Sequence, residues 1–598
     1  MTTFDLVPTK LAVQAMRDNG YRNTAYAIAE LIDNAIQAKA TAVELLCCER
    51  EALVQQRNRR NIHQIAVLDN GTGMDHDGLM TALQFGNGAY LHDRSGIGRF
   101  GMGLPSSSIS QCQRVDVWTW QDGPASALHS YIDLDEVEKG LLTTVPEPDG
   151  ELMPEMWEEA SESLGATGTL VVWSRLDRCL WKTARTIIRN SEETIGRMYR
   201  RFIHDGRATI RLAAFVEDKP SDPILSEFAK ANDPGYLMVP SSTPAPYDQS
   251  PMFREDGDQW EMPYTIEFNG EQHLVTVRFT VADESVRSTP NAGAQPFGKH
   301  AARNLGVSLM RADRELMLDT AFVNPADVTE RWWAVEVEFP AALDEIFGVT
   351  NNKQSARHFT ETAESLEEIL AAGETVSELI EEMENDDDPR APLVELVHLI
   401  DRRIRGLRKI LKVQTKGQRS RKRHEDPDSP EARATSITKT RQEEGHTGKS
   451  DEDEGLDPAE REAALAQELE ESGLSKEQAK EMAARKVGDG IKYTFTQADL
   501  EGRTFFTVKP VAGEIVIKLN INHSAYKNLV EVLEEIDEDL SMEEALDRLR
   551  RANNGLRLLL MAWARLEDEA TPDKKREDIQ DLRTDWGRYA ALFLEDDR

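Results

Sequence analysis

Cysteine is scarce in this sequence, and long apolar runs are absent from it. The four cysteines, Cys47, Cys48, Cys112 and Cys179, occur among 598 residues at spacings that fit no metal site. The adjacent pair lies in a predicted strand, where buried thiols are the usual case. No apolar run has membrane-spanning length, and the N-terminus lacks the basic start and apolar core of a signal peptide. The sequence therefore indicates neither zinc nor a disulfide framework, and we expect a cytoplasmic protein.

Positive charge is in deficit as well. Lys and Arg number 71 against 107 Asp and Glu, which gives a formal net charge of −36 at pH 7. This balance argues against a general nucleic-acid coat, although local basic patches can still contact phosphates. The length and the 39% of hydrophobic residues are enough for about three or four domains, each with its own core.

One predicted helix, residues 24–38, carries a narrow polar stripe on an otherwise apolar surface. The stripe consists of Glu30, Asp33, Asn34 and Gln37, whose i, i+3, i+4 and i+7 spacing places them on one face. A solvated face is normally wider and mixes cations with its acids. The stripe therefore either faces a polar ligand or is a simple surface stripe, and the helix alone leaves both readings open.

Glycine-rich loops follow this helix. A short apolar strand ends at Asp69, and Gly71 and Gly73 in the next turn allow the backbone to approach a ligand closely. Further on, the amide-rich loop 95–105 precedes a helix predicted to begin near Ser106, an arrangement that binds phosphate. A later strand, residues 167–173, has hydroxyl groups near its start.

In order, the motifs ELIDNA, DNGTGM, GIGRFGMG and TGT resemble the nucleotide-binding boxes of the GHKL ATPases, the superfamily of gyrase, heat-shock chaperones, histidine kinases and MutL. The resemblance implies an α/β sandwich of the Bergerat fold that binds ATP and Mg²⁺ and hydrolyses ATP. Glu30 would be the general base that activates water, Asn34 would coordinate Mg²⁺, and Asp69 would accept the adenine amino group. The i, i+4 spacing of Glu30 and Asn34 suits two groups that flank one γ-phosphate. The resemblance further implies nucleotide contacts by Gly71, Gly73, Met74, Gly98, Arg99, Gly101, Gly103 and Thr169.

Two other phosphate-binding motifs are incomplete. Residues 96–101 match the dinucleotide fingerprint GxGxxG, but a polar run precedes them where a Rossmann unit needs an apolar strand. Residues 293–300 approach a P-loop, but His300 replaces the Ser or Thr that binds magnesium, so an ordinary loop is expected there.

The predicted fold class is α/β with α+β parts. Its segments are an ATP-binding domain (1–178, with an acidic insertion at 133–163), a transducer-like α/β domain (179–357), a helical segment (358–412), a charged disordered linker (413–456) and a C-terminal helical or α+β domain (457–598).

A second-domain lysine completes the predicted catalytic set. In GHKL proteins the transducer domain delivers a lysine to the γ-phosphate, and Asn-Asn-Lys-Gln at 351–354 resembles the corresponding loop of the MORC branch. We therefore predict that Lys353 senses the γ-phosphate; the alternative is a solvent-facing loop lysine.

Dense positive charge follows, from Arg402 to Arg423, on a helix predicted to end near Lys412 and on a flexible tail. This basic tract would bind DNA or RNA, or else neutralise the acidic runs at 381–388 and 450–454.

The sequence shows no features of several other GHKL functions. No phosphoacceptor histidine helix precedes the boxes, no metal-ligand cluster of a MutL-type nuclease follows residue 360, and a topoisomerase subunit would need more chain or a partner that supplies a cleavage tyrosine. The sequence favours a bacterial MORC-like ATPase that acts as an ATP-gated homodimeric clamp on DNA or in a nucleoprotein, such as phage-defence, complex. A heat-shock-type chaperone, or an ATP-sensing regulatory subunit of an operon-encoded partner, are the alternatives.

Overall fold

The chain forms two compact units, Met1–Ile404 and Arg405–Arg598. The computed structural model describes residues 9–18, 20–54, 57–86, 102–257, 260–289, 291–325, 327–350, 354–372, 376–386, 388, 390–423, 430–471, 476–498, 504–520, 523–534, 542–569 and 573–594.

The first unit mixes helices and strands. Its helices are α1 (Thr9–Asp18), α2 (Thr24–Gln37), α3 (His76–Ala82), α4 (Gly103–Ile109), α5 (Leu134–Glu138), α6 (Glu155–Ala160), α7 (Ala184–Met198), α8 (Arg200–His204), α9 (Glu284–Ser288), α10 (Pro296–Ala301), α11 (Asp344–Phe347), α12 (Arg357–Ala372) and α13 (Val376–Asn385), with α14 (Ala391–Arg423) at the boundary of the two units. Its strands are β1 (Ala42–Val54), β2 (Arg57–Asp69), β3 (Cys112–Trp120), β4 (Leu128–Asp133), β5 (Gly168–Leu176), β6 (Thr209–Val216), β7 (Leu225–Phe228), β8 (Phe253–Glu255), β9 (Glu261–Phe268), β10 (Glu271–Ala282), β11 (Val307–Arg311), β12 (Arg314–Asp319) and β13 (Trp333–Glu338).

The second unit combines helices with a three-stranded sheet. Its helices are α15 (Pro430–Glu443), α16 (Pro458–Glu471), α17 (Lys476–Asp489), α18 (Glu531–Glu534), α19 (Met542–Asp568) and α20 (Asp573–Leu594), and its strands are β14 (Tyr493–Ala498), β15 (Phe506–Val511) and β16 (Glu514–Asn520). Among the described helices, none is long and apolar enough to cross a membrane.

Seven of the described strands form the first sheet, in the order β4-β3-β5-β2-β1-β6-β7. Strand residues alternate between its faces, so Leu45 and Cys47 of β1 join the core that contains α2, whereas Leu46 and Cys48 join a core with Trp157 of α6. The sheet is therefore covered on both faces. All four cysteine thiols are buried, as predicted for the adjacent pair.

The end of the first sheet differs from the prediction. Strand β6 pairs in parallel with β1, and β7 pairs with β6, so this sheet continues to Phe228. Ile187 and Ile195 of α7 pack in the same core as α2. A domain boundary at residue 178 would cut through this sheet, since β1 and β6 lie on either side of it. The pairing joins segments far apart in the sequence, so no local pattern predicts it.

Six other described strands form the second sheet, in the order β12-β11-β13-β10-β8 with β9 on β10. The apolar-rich run 273–279 lies within β10. The segment 293–300, expected to be a loop, includes all but the last residue of α10, whose Pro296 stands in the first turn, where a missing N–H costs nothing.

The predicted linker contains regular structure. Helix α14 continues past Lys412 to Arg423, since no proline interrupts the sequence between Pro392 and Pro427 and basic residues form helices well. Helix α15 lies inside the segment predicted to be disordered. Buried Lys492 forms ion pairs with Asp451 (2.8 Å) and Glu454. Part of the negative charge in the predicted linker is therefore neutralised within the structure.

Candidate nucleotide site

The polar stripe lies on α2, which spans nearly the whole predicted segment. Asn23 caps this helix by accepting a hydrogen bond from the Tyr26 N–H, as N-cap residues commonly do. Glu30 and Asp33 are buried, Asn34 is half-buried and Gln37 is exposed. The first part of the stripe is therefore not exposed to solvent, and both of its acids lie in the interior of the protein.

Gly103, at the start of α4, lies directly against Glu30. A Cβ atom placed on Gly103 would be only 2.1 Å from Glu30 Oε1, so a side chain at this position would displace the Glu30 carboxylate. The structure therefore brings the first and third motifs together at the carboxylate of Glu30. Gly98, Arg99 and Gly101, the other predicted residues of the third motif, lie outside the described residues.

Asp69 ends β2 and is 7% exposed. Burial raises the pKa of its carboxyl group from 3.8 to about 7, although a hydrogen bond of 2.7 Å from the Gly71 N–H to Oδ1 partly opposes this shift. A Cβ atom on Gly71 would be 2.8 Å from both Ala38 and Asp69 Oδ1. The turn after β2 is therefore packed tightly against the C-terminal end of α2.

Thr169 lies directly across from Asp69 in the pairing of β2 with β5. Its hydroxyl is 3.1 Å from the hydroxyl of Thr119, which also accepts a hydrogen bond of 2.8 Å from the Met74 N–H. Gly73 has a φ of +65°, and a Cβ atom there would lie 2.1 Å from the Trp120 carbonyl oxygen. Strand β3 thus supports the DNGTGM turn, a role for Thr119 that no sequence signal indicated.

Asp33 connects α2 to the second sheet. The Tyr199 hydroxyl donates to its Oδ1 at 2.7 Å, and Nε of Arg314, from β12, donates to the same atom at 2.8 Å. Asp33 and Arg314 are both buried, and so is Tyr199. Burial, followed by the negative charges of Glu30 and Asp33, raises the pKa of the nearby Tyr21 phenol above its ordinary value.

A second contact to α2 comes from the loop predicted to carry the sensor lysine. The Arg22 N–H, next to the N-cap of α2, donates to Gln354 Oε1 at 3.0 Å. The ends of this loop are joined by a β-bridge between Val349 and Ala356. Lys353 itself lies outside the described residues, but its neighbour Gln354 lies at the beginning of the Glu30 helix.

Comparison with known families identifies this arrangement. The sequence profile of the family "Histidine kinase-, DNA gyrase B-, and HSP90-like ATPase" matches residues 21–162, which include Glu30, Asp69 and Gly103. The N-terminal part of this chain is a GHKL-type ATPase domain. The predicted family is thereby confirmed for this part of the chain, whereas Thr169 lies just beyond the matched residues.

Individual relatives of the GHKL domain include ATPases. The chain is 35% identical over 118 residues to ATPase MORC2B of Mus musculus, which is 19% of this chain and 11% of that protein. It is 38% identical over 84 residues to ATPase MORC2 of Homo sapiens, which is 14% of this chain and 8% of that protein. The matched segments are thus a small part of these relatives. The crystal structure of the N-terminal domain of a DNA repair protein aligns with 59% of this chain and 96% of its own, at 14% identity and a TM-score of 0.35.

The residues of the GHKL domain suit a magnesium nucleotide. Asn34 offers an amide oxygen of the kind Mg²⁺ accepts, one helical turn from the buried carboxylate of Glu30. The absence of a side chain at Gly103 lets the Glu30 carboxylate lie directly against the backbone at the start of α4. When bound, the ion would neutralise phosphate charge.

Proposed function

We propose that the GHKL domain binds ATP with Mg²⁺ and hydrolyses it, with Glu30 as the general base and Asn34 as the magnesium ligand. The single observation that carries this proposal is the buried carboxylate of Glu30 against Gly103, where a base would be shielded from bulk water. Asp69, fixed through Gly71, would accept the adenine amino group, with Met74, Gly73 and Thr169 around it.

In the proposed hydrolysis step, water attacks the γ-phosphorus, ADP leaves and Glu30 receives a proton. A carboxylate oxygen of Glu30 would take a proton from the attacking water while the bond between the γ-phosphorus and its bridging oxygen breaks. Asn34 would hold the cation that offsets the phosphate charge. The glycine-rich loop with Gly98, Arg99 and Gly101 would cover the phosphates, and Lys353 would contact the γ-phosphate from its own loop in the predicted transducer domain.

Two contacts join α2 and its N-cap to the part of the chain that contains the second sheet. They support a transducer role for that part of the chain. Arg314 binds Asp33 on the helix that carries Glu30, and Gln354 binds the backbone beside the N-cap. A change of this helix on nucleotide binding would therefore be transmitted to β12 and to the loop with Lys353.

The larger proposal is an ATP-gated homodimeric clamp on DNA or RNA. Support comes from the basic residues between Arg402 and Arg423, which continue along α14 to its last residue. The relatives are ATPases, and the nucleic-acid client is proposed from the positive charge of this tract.

A chaperone-type ATPase is the second candidate. Leu558 and Met561 of α19 and Trp586 of α20 are 61–63% exposed, as apolar contacts for protein clients would be. Weak salt dependence of client binding would favour this candidate over the clamp.

The experiment that tests the proposed function uses Glu30→Gln, which keeps the side-chain shape next to Gly103. Removing a general base should lower ATP turnover by about a hundred- to ten-thousandfold and leave ATP binding intact. Because ATP then persists in the site, the variant should form dimers with ATP in size-exclusion chromatography with light scattering.

The matched control is Gln37→Ala, on the same helix face but exposed. It should keep parental turnover. Full turnover by Glu30→Gln would contradict the assignment of the base, and a monomeric ATP complex of this variant at micromolar concentration would contradict the clamp.

A further inference from the structure

A histidine and two carboxylates meet at the edge of the first sheet, where β4 is the outermost strand. His129 of β4 is 3% exposed, and its Nδ1 atom lies 3.4 Å from both Asp149 Oδ1 and Glu151 Oε2. One potential ligand atom from each of the three residues lies within 4.8 Å of the others. Asp149 and Glu151 belong to the acidic insertion, and none of these residues is among the proposed nucleotide contacts.

The other ring nitrogen of His129 is already bound. Its Nε2 lies 3.1 Å from Asp116 Oδ1, and Arg114 donates to the same carboxylate at 2.8 Å. Asp116 therefore accepts the Nε2 proton, which leaves Nδ1 as the free nitrogen of the neutral ring. This carboxylate–histidine arrangement is the usual second shell of a metal-bound imidazole.

The buried Nδ1 atom has no hydrogen-bond partner among the described residues. In the neutral ring it presents a lone pair to two carboxylates, and either a cation between these groups or a proton on Nδ1 would stabilise the arrangement. Each of the two separations from Nδ1 is 3.4 Å. Two metal bonds of about 2.0–2.1 Å at a tetrahedral angle give a separation of about 3.3–3.4 Å between the ligand atoms.

Backbone contacts hold these ligands in place before any ion binds. His129 and Asp149 exchange two backbone hydrogen bonds of 3.0 Å, and the Glu151 N–H donates to Asp149 Oδ1 at 3.0 Å. The Trp118 ring stacks on the imidazole with centroids 4.6 Å apart. The imidazole and the backbone that carries the two acids are therefore already in position for an ion, which lowers the entropic cost of binding.

We propose that His129, Asp149 and Glu151 bind a divalent transition-metal ion, Zn²⁺ or Mn²⁺, with water in the remaining positions. One imidazole and two carboxylates match the ligand preferences of these ions better than those of Mg²⁺, which favours oxygen alone. The ion would fasten the acidic insertion to the edge strand β4 and offset the charge of the two acids.

The test titrates the chelator-treated full chain with ZnCl₂, MnCl₂ or MgCl₂ by calorimetry in the absence of nucleotide. We expect one site that binds Zn²⁺ or Mn²⁺ and has a much lower affinity for Mg²⁺. Binding of Zn²⁺ or Mn²⁺ should also raise the melting temperature. Asp149→Asn and Glu151→Gln should each weaken this site at least tenfold. Asp116→Asn, behind the histidine, should weaken it by about ten- to a hundredfold.

The control is Glu158→Gln, an exposed acid of the same insertion, which should bind metal like the parent. His129→Ala should abolish the site, but replacing this buried side chain also disturbs the core. The side chains of Asp149 and Glu151 are 63% and 61% exposed, so their replacement tests the site without that disturbance. Absence of Zn²⁺ and Mn²⁺ binding at 100-fold excess over protein, or equal affinity in the two acid variants and the parent, would overturn the proposal. The cluster would then be a protonated histidine among carboxylates.

Discussion

Asp69 combines two demands that oppose each other. An adenine amino group binds an ionised acceptor more strongly than a neutral one, whereas burial raises the pKa of this carboxyl group to about 7. Folding therefore favours the protonated form. The resulting stabilisation is fully present below the unfolded pKa of 3.8 and is lost as the pH rises through about 7.

Asp69→Asn should separate these demands, because an amide oxygen can still accept the Gly71 N–H but carries no charge. Without nucleotide, its stability relative to the parent should increase by about 2 kcal/mol between about pH 5.5 and about pH 8. Its ATP affinity at about pH 8 should fall by about 1.5–3 kcal/mol, the contribution of a hydrogen bond to a charged group. Urea unfolding and calorimetry at both pH values measure the two effects.

The exposed Asp77 of α3 provides the control, since Asp77→Asn should change neither quantity. ATP affinity of the parent should also fall as the pH drops below about 7, where Asp69 becomes protonated. A pH-independent difference in stability between Asp69→Asn and the parent would contradict the burial argument.

At the scale of elements, helix α2 is held by a buried ion pair to β12. Arg314→Met would leave Asp33 in the interior without its guanidinium, and breaking a buried pair in this way typically costs about 3–5 kcal/mol. We expect a loss of this size in chemical unfolding. Combining it with Asp33→Asn should restore part of the stability, because the unpaired charge is then gone.

Arg207 is the matched control for this prediction. It also pairs with acids, Asp205 and Asp313, but is 40% exposed, so Arg207→Met should cost no more than about 1 kcal/mol. If the ion pair also couples the domains, the double variant at Asp33 and Arg314 should bind ATP yet hydrolyse it more slowly. Similar losses for Arg314→Met and Arg207→Met would show that the buried pair is energetically ordinary.

At the scale of the whole molecule, the clamp proposal requires nucleic-acid binding that depends on salt. Replacing Arg419, Arg421, Lys422 and Arg423 with Ala preserves helix-forming residues at the end of α14. If each of these side chains contacts a phosphate, the negative slope of log affinity against log salt should become shallower by about 3 to 4. Fluorescence anisotropy with a labelled duplex over a salt series measures this slope.

ATP turnover should stay unchanged in this variant, since the tract lies outside the nucleotide site. Four exposed cations of the C-terminal helices, Arg565, Lys575, Arg583 and Arg588, provide a control of equal charge, and their replacement with Ala should leave the slope unaltered. Absence of DNA and RNA binding by the parent at low salt, with and without ATP, would favour the chaperone candidate or the regulatory subunit.

The sequence by itself determined the features that depend on neighbouring residues. The apolar periodicity of 24–38 predicted α2, the strand before Asp69 lies in β2, and Gly71, Gly73 and Gly103 are at positions where a Cβ atom would clash. The four motifs identified the family, which the profile match confirms for residues 21–162. The roles of Glu30, Asn34 and Lys353 stay predictions.

Only the tertiary structure decided which distant segments meet. Asp33 and Arg314 are 281 residues apart, and β6 extends the first sheet well beyond the predicted boundary at residue 178. Likewise, Thr119 beneath the Asp69 turn and the cluster at His129 carry no motif. Helix and turn signals arise from backbone geometry over a few residues, whereas these contacts depend on sheet order and on burial, which a single sequence does not encode in any local pattern.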